Sequence, residues 1–199
     1  MSTEVYLIRH GETVWNKERI VQGHLDSKLS TAGKNQAKLV GEKLKDYDFD
    51  VIYSSDLERA IDTANYINEY HNQVIIIDEM LRERKLGILE GKDWETIKND
   101  HPEAASIYHS DDLDSEIPGG GESKAQFAER VRAFMDKIAI QEEGNKVLVI
   151  THGWLINFWI KLSLNIPLDD KNRLMYVENG SINKFLYRDG EWYLEKFNA

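Results

Sequence analysis

The sequence predicts a three-layer α/β/α fold on a mixed, mostly parallel sheet, and three observations carry that prediction. Four short apolar runs, Val5-Tyr6-Leu7-Ile8, Val51-Ile52-Tyr53, Val74-Ile75-Ile76-Ile77 and Val147-Leu148-Val149-Ile150, read as strands buried on both faces, as in parallel sheets covered by helices. Segments with apolar residues at helical spacing separate them. Near the C-terminus the period changes. Asn179-Gly180 and Asp189-Gly190 stand between β-rich runs (175–177, 182–187 and 192–197) and signal hairpins, so antiparallel strands complete the sheet.

Taken in order, the first strand ends in Arg9-His10-Gly11, and residues 13–30 form a polar connection long enough to suggest function. Thr31 is expected to cap a helix with Ala37, Val40, Leu44 and Tyr47 inward. After the second strand, Ser55 with Glu58 has the spacing of a capping box, and Arg59 falls in the first turn of the helix it opens. Residues 92–122 are polar and acidic but carry Trp94, Ile107, Tyr108, Leu113 and Ile117, too many large apolar groups for a disordered linker. A short helix is expected at 94–99. We read residues 1–199 as one domain, with 92–122 as a lid-like insertion over the strand ends. Trp94, Tyr108 and Ile117 suit either a lid over a substrate or the core of that insertion. Ser123 with Gln126 signals another capping box, before a helix with Phe127, Val131, Phe134 and Ile138 inward. Residues 154–164 are apolar nearly all round, which predicts the most buried helix.

Composition narrows the function. The chain has 199 residues, no cysteine and a formal net charge of −10. Thiolate nucleophiles, disulfides and cysteine-based metal sites are excluded. The acidic balance argues against nucleic acid and anionic membranes as partners. The N-terminus has neither the basic nor the apolar region of a signal peptide, and no stretch reaches membrane-spanning length without charges, so a cytoplasmic location is expected. Oligomeric state is not legible.

The chemistry gathers at strand ends. In a parallel sheet the C-terminal ends face one crevice, and here they deliver Arg9 and His10, then Arg59, then Glu83, then His152. Two arginines and two histidines around one point make a site for a tetrahedral anion, because guanidinium forks match phosphate oxygens and stay charged. A neutral His10 suits nucleophilic attack on phosphorus, Glu83 suits proton donation to the leaving oxygen, and His152 suits donation to phosphoryl oxygens. No carboxylate cluster has metal-ligand spacing, so no metal is expected. The bland readings are a satisfied buried histidine at position 10, an ion-paired Arg59 and a surface ion-pair cluster around Glu83. Arg84 and Lys85 read as solvated, His24, His71, His101 and His109 as surface residues, and Asn179 as a turn former.

Arg9-His10-Gly11-Glu12-Thr13 with Trp15-Asn16 resembles the signature of the histidine phosphatase superfamily, the phosphoglycerate mutase-like proteins. The resemblance continues through Gln22-Gly23, Asp26, Ser54-Ser55-Asp56-Leu57-Glu58-Arg59-Ala60, Leu81-Arg82-Glu83-Arg84, Gly120-Gly121-Glu122-Ser123, Thr151-His152-Gly153 and Asn179-Gly180-Ser181. It implies a phosphohistidine at His10, a phosphate pocket of Arg9, Arg59 and His152, Glu83 as proton donor, contacts from Asn16 and Gln22, and neither metal nor cofactor. Gly23, Gly153 and Trp154 join the expected substrate site. Cofactor-dependent mutases of this family carry paired arginines after the acid segment; residues 92–122 contain none. The expected activity is therefore metal-independent hydrolysis of small phosphorylated metabolites. The alternatives are a phosphoglycerate mutase or a non-catalytic phospho-ligand sensor, and Glu83 argues against the sensor. Trp154 departs from the small residue or asparagine that follows the second His-Gly in many relatives, and it is a candidate for choosing the substrate.

Overall fold

The computed structural model describes residues 1–170 and 175–199. Its sheet has six strands: β1 (Thr3–Arg9), β2 (Val51–Ser54), β3 (Ile75–Ile77), β4 (Lys146–Thr151), β5 (Ile182–Arg188) and β6 (Glu191–Lys196). The order is β3-β2-β4-β1-β5-β6. Pairings among β1 to β4 are parallel, and those of β5 with β1 and β6 are antiparallel. The helices are α1 (Val14–Glu18), α2 (Thr31–Leu44), α3 (Glu58–Asn68), α4 (Trp94–Asp100), α5 (Pro102–His109), α6 (Lys124–Gln141) and α7 (Gly153–Ser163).

Side-chain alternation along the central strands builds the three layers. Tyr6 and Ile8 of β1, with Leu148 and Ile150 of β4, pack on α2 and α3 through Val40, Leu44, Ala60, Ala64 and Ile67. Val5, Leu7, Val147 and Val149 point the other way, to Phe127, Val131, Phe134 and Ile138 of α6 and to α7. Each fully buried residue of this size contributes roughly 1.5–3 kcal/mol. In α7 every residue from Leu155 to Lys161 is buried. A third cluster, Leu86, Leu89, Ile97, Ala104, Ala105 and Ile117, forms a small core of its own under α4 and α5. Among the described residues no helix is long and apolar enough to cross a membrane.

Several local expectations change. The third strand is three residues long and lies at the sheet edge, with Val74 84% exposed. A β-branched run does not say how many neighbours a strand has. Residues 175–178 form no strand, so Asn179-Gly180 makes a turn without a hairpin, while Asp189-Gly190 joins β5 to β6 with both residues at positive φ. The α2 cap is Ser30, whose Oγ accepts from the Gly33 amide, and Thr31 is the first helical residue. The Ser55–Glu58 box does not form. The N-cap of α3 is Leu57, and Asp26, from a distant loop, accepts the Glu58 amide at 2.8 Å. The 13–30 connection contains α1, opened by a capping box between Thr13 and Asn16, and α5 is an element the sequence reading lacked. The box at Ser123 and Gln126 is present as expected.

The segment after β1 is strapped to α2. Glu12 offers its carbonyl to the Ser30 amide and its carboxylate to the Ser30 hydroxyl. A Cβ on Gly33 would lie 2.0 Å from the Glu12 carbonyl oxygen, a backbone atom that cannot swing aside. Gly33→Ala should lower stability by about 2–3 kcal/mol, measured by urea unfolding; an unchanged midpoint would refute the close approach.

Candidate active site

At the end of β1 the His10 amide donates to the Thr151 carbonyl at 2.9 Å, and this bond holds the two strand ends side by side. The ring centroids of His10 and His152 are 5.2 Å apart. His10 Nδ1 lies 2.8 Å from the Gly11 carbonyl oxygen. A carbonyl only accepts, so in the neutral ring the proton sits on Nδ1 and Nε2 keeps its lone pair. The Gly11 peptide is anchored in turn by its amide, which donates to Thr63 Oγ1 at 3.0 Å. Asn179, from the C-terminal turn, donates to the His10 carbonyl. Both histidines are held well below the ordinary pKa of 6.5, first by burial and then by Arg59. They are neutral wherever the protein is folded near neutral pH.

The arginines are held so that part of each guanidinium stays unused. Arg59, 1% exposed, donates Nη1 to Asp26 Oδ1 at 2.7 Å and to the Leu25 carbonyl, and Nη2 to the Gly23 carbonyl at 2.7 Å. Its buried Nε has no partner. Arg9 donates Nη1 to the Val177 carbonyl, packs against the Gly153 backbone, and likewise leaves a buried Nε unpartnered. A buried donor without an acceptor is costly. Two of them beside His10 suit the oxygens of an anion.

Glu83 faces this positive group. Its Oε1 accepts the Arg84 amide at 2.9 Å and its Oε2 accepts the Trp154 amide at 3.2 Å. Burial raises its pKa above 4.5 and outweighs those amides and the two arginines, which oppose the shift. A carboxyl poised between acid and base can exchange protons with a reacting oxygen. His24 is not a surface residue: its Nε2 lies 2.9 Å from the Glu83 carbonyl oxygen, and its amide donates to Glu90. Arg84 is not solvated either. It is 1% exposed and donates Nε and Nη2 to the Glu122 carbonyl. Both were misread because their acceptors are backbone carbonyls distant in sequence. Lys85 is exposed, as expected.

A cavity of about 340 Å³ is lined by Arg9, His10, Asn16, Gln22, Gly23, Arg59, Glu83 and Trp154 together. Gln22 Oε1 accepts the Thr13 hydroxyl, so its amide nitrogen is the group left for a ligand. Asn16 is tied to Thr13 and Asn179. Gly153 lines an adjoining cavity of about 280 Å³ that also touches Arg9, Glu83 and Trp154. His152 is fully buried between the strands. Trp15, Arg19, Leu86, Trp94 and Tyr108 also line the larger cavity. Trp94 and Tyr108 also pack on the small core of residues 86–117, so they serve both as core and as wall, whereas Ile117 is core. Arg19 had no local signal beyond its place on the 13–30 connection. Among the described residues no group of three or more histidines or carboxylates is gathered as a metal ion would need.

The chain is similar to several known proteins over nearly its whole length. A metal-independent phosphoserine phosphatase of Arabidopsis thaliana is 36% identical over 199 residues, covering 98% of this chain and 81% of its own. Among solved structures, Bacillus stearothermophilus YhfR superimposes with a TM-score of 0.89 at 31% identity, covering 96% of this chain and 95% of that one. A mycobacterial glucosyl-3-phosphoglycerate phosphatase superimposes with a TM-score of 0.87 at 30% identity over the full length of both. The family model of the histidine phosphatase superfamily, branch 1, matches residues 5–199, and the chain belongs to that superfamily.

Proposed function

We propose that the protein is a metal-independent phosphomonoesterase that works through phospho-His10 on small phosphorylated metabolites. The observation that carries this reading is one cavity holding a neutral His10 with its Nε2 lone pair free, two arginines with unpartnered Nε groups, and a Glu83 whose burial favours the acid form. His10 Nε2 attacks phosphorus while the Glu83 carboxyl gives its proton to the departing oxygen. The Glu83 carboxylate then takes a proton from water, whose oxygen attacks the phosphohistidine; phosphate leaves and His10 is restored. Arg9, Arg59, Gln22 and His152 hold the equatorial oxygens, where charge is spread in the transition state.

The relatives named for phosphoserine and glucosyl-3-phosphoglycerate support phosphorylated metabolites of that size as substrates. Other relatives are named as probable phosphoglycerate mutases, but residues 92–122 lack the paired arginines that would hold a substrate carboxylate, which favours hydrolysis. The absence of cysteine and the charge of −10 support a cytoplasmic place without nucleic-acid or membrane partners.

Wild-type protein should turn over p-nitrophenyl phosphate in EDTA, with His10→Ala slower by about a thousand-fold or more; equal rates would overturn the reading. The pH profile follows from the two shifts. Glu83 is needed protonated first, and burial raises its pKa above the ordinary 4.5, so activity falls only as pH rises through that raised pKa. Neutral His10 persists well below 6.5, so the acid limb lies low. The optimum should therefore sit on the acid side of neutrality. Glu83→Gln should be slower by about 10²–10⁴-fold and lose the alkaline limb. Wild-type activity that climbs steadily to about pH 9 would exclude the acid role.

A further inference from the structure

Ser55 has no capping role for Glu58, yet it is fully buried at the end of β2. Its Oγ touches two groups. The Leu57 amide donates to it at 3.3 Å, and His152 Nε2 lies 2.9 Å away. An amide can only donate, so the one acceptor within reach of the Ser55 hydroxyl hydrogen is His152 Nε2. The reverse arrangement, Nε2–H donating to Oγ, would leave that hydroxyl hydrogen buried and unsatisfied. It would also leave Nδ1 a bare lone pair, unable to donate. With Nε2 accepting, the neutral ring carries its proton on Nδ1, and Nδ1 is a buried atom without a partner.

We propose that Ser55 is a positioning residue that fixes the Nδ1–H tautomer of His152 and so makes a neutral imidazole a hydrogen-bond donor to the phosphoryl oxygens. The inference rests on the phosphatase reading for the identity of the acceptor. The histidines then hold the same tautomer for opposite purposes. The Gly11 carbonyl holds the proton on His10 Nδ1 and leaves Nε2 to attack. The Ser55 hydroxyl occupies His152 Nε2 and leaves Nδ1–H to donate. Neutrality is what makes the choice matter, since an imidazolium would donate from both nitrogens. Burial first, and then Arg59, His10, Arg9 and His24, all act to keep His152 neutral.

The test reads the tautomer directly. In protein labelled with ¹⁵N-histidine at neutral pH, the His152 signals, assigned by their loss in His152→Gln, should show a protonated Nδ1 and a bare Nε2. Ser55→Ala should shift the ring wholly or partly to Nε2–H, and Ser55→Thr, which keeps the hydroxyl, should restore Nδ1–H. Alongside, kcat for p-nitrophenyl phosphate should fall about tenfold in Ser55→Ala and recover in Ser55→Thr. A residue that only supported the turn before α3 would lower Tm and leave the tautomer as it was. An Nε2–H tautomer in the wild type, or no change in Ser55→Ala, overturns the proposal. The spectra need no turnover, so an inactive wild-type protein defeats the phosphatase reading while the Ser55 assignment still stands or falls on its own.

Discussion

The parallel ladder between β1 and β4 is the constraint on which the site depends. Its register pairs Arg9 with Thr151, and the His10 amide closes the ladder on the Thr151 carbonyl. Two histidines separated by 142 positions in the chain (152 − 10) are thereby brought ring to ring at the middle of the sheet. Because β2 pairs on the other side of β4, Ser55 and then Arg59 arrive from the next strand end. The apolar faces of these strands are covered by helices on both sides, so the polar residues at their ends sit on a rigid, dry support.

Burial and positive charge act together on what that support holds. Burial is the largest influence holding both histidines well below their ordinary pKa, and the arginines reinforce it. Glu83 feels the same burial with the opposite result, since for a carboxyl the neutral form is the acid. One environment therefore favours the neutral form of His10 and of Glu83 side by side. Asp26 keeps the arrangement affordable by neutralising Arg59 at one edge of the guanidinium while Nε stays unpartnered.

The legible part of this protein was what depends on residue type and period. Buried runs located the central strands, Ser123 and Gln126 located a helix start, and charged residues following apolar runs located Arg9, His10, Arg59 and Glu83, which line one cavity, and His152, which is buried beside His10. Ser55, His24 and Arg84 were misassigned for a shared reason. Each has a local pattern that fits a bland role, and each makes its decisive hydrogen bond with a group remote in sequence. Local spacing cannot report such a partner.

The sequence by itself determined the fold class, because buried apolar periods depend only on covalent geometry and the cost of desolvation, and its motifs pointed to the superfamily and to an anion site through their resemblance to the histidine phosphatase signature. Only the tertiary structure decided which strand lies at the edge, which residue caps α3, how the arginines divide their donors, and which groups lie against His10 Nδ1 and His152 Nε2. Most of those outcomes depend on hydrogen bonds at 2.7–2.9 Å between groups tens of residues apart, and such distances exist only once the chain has packed.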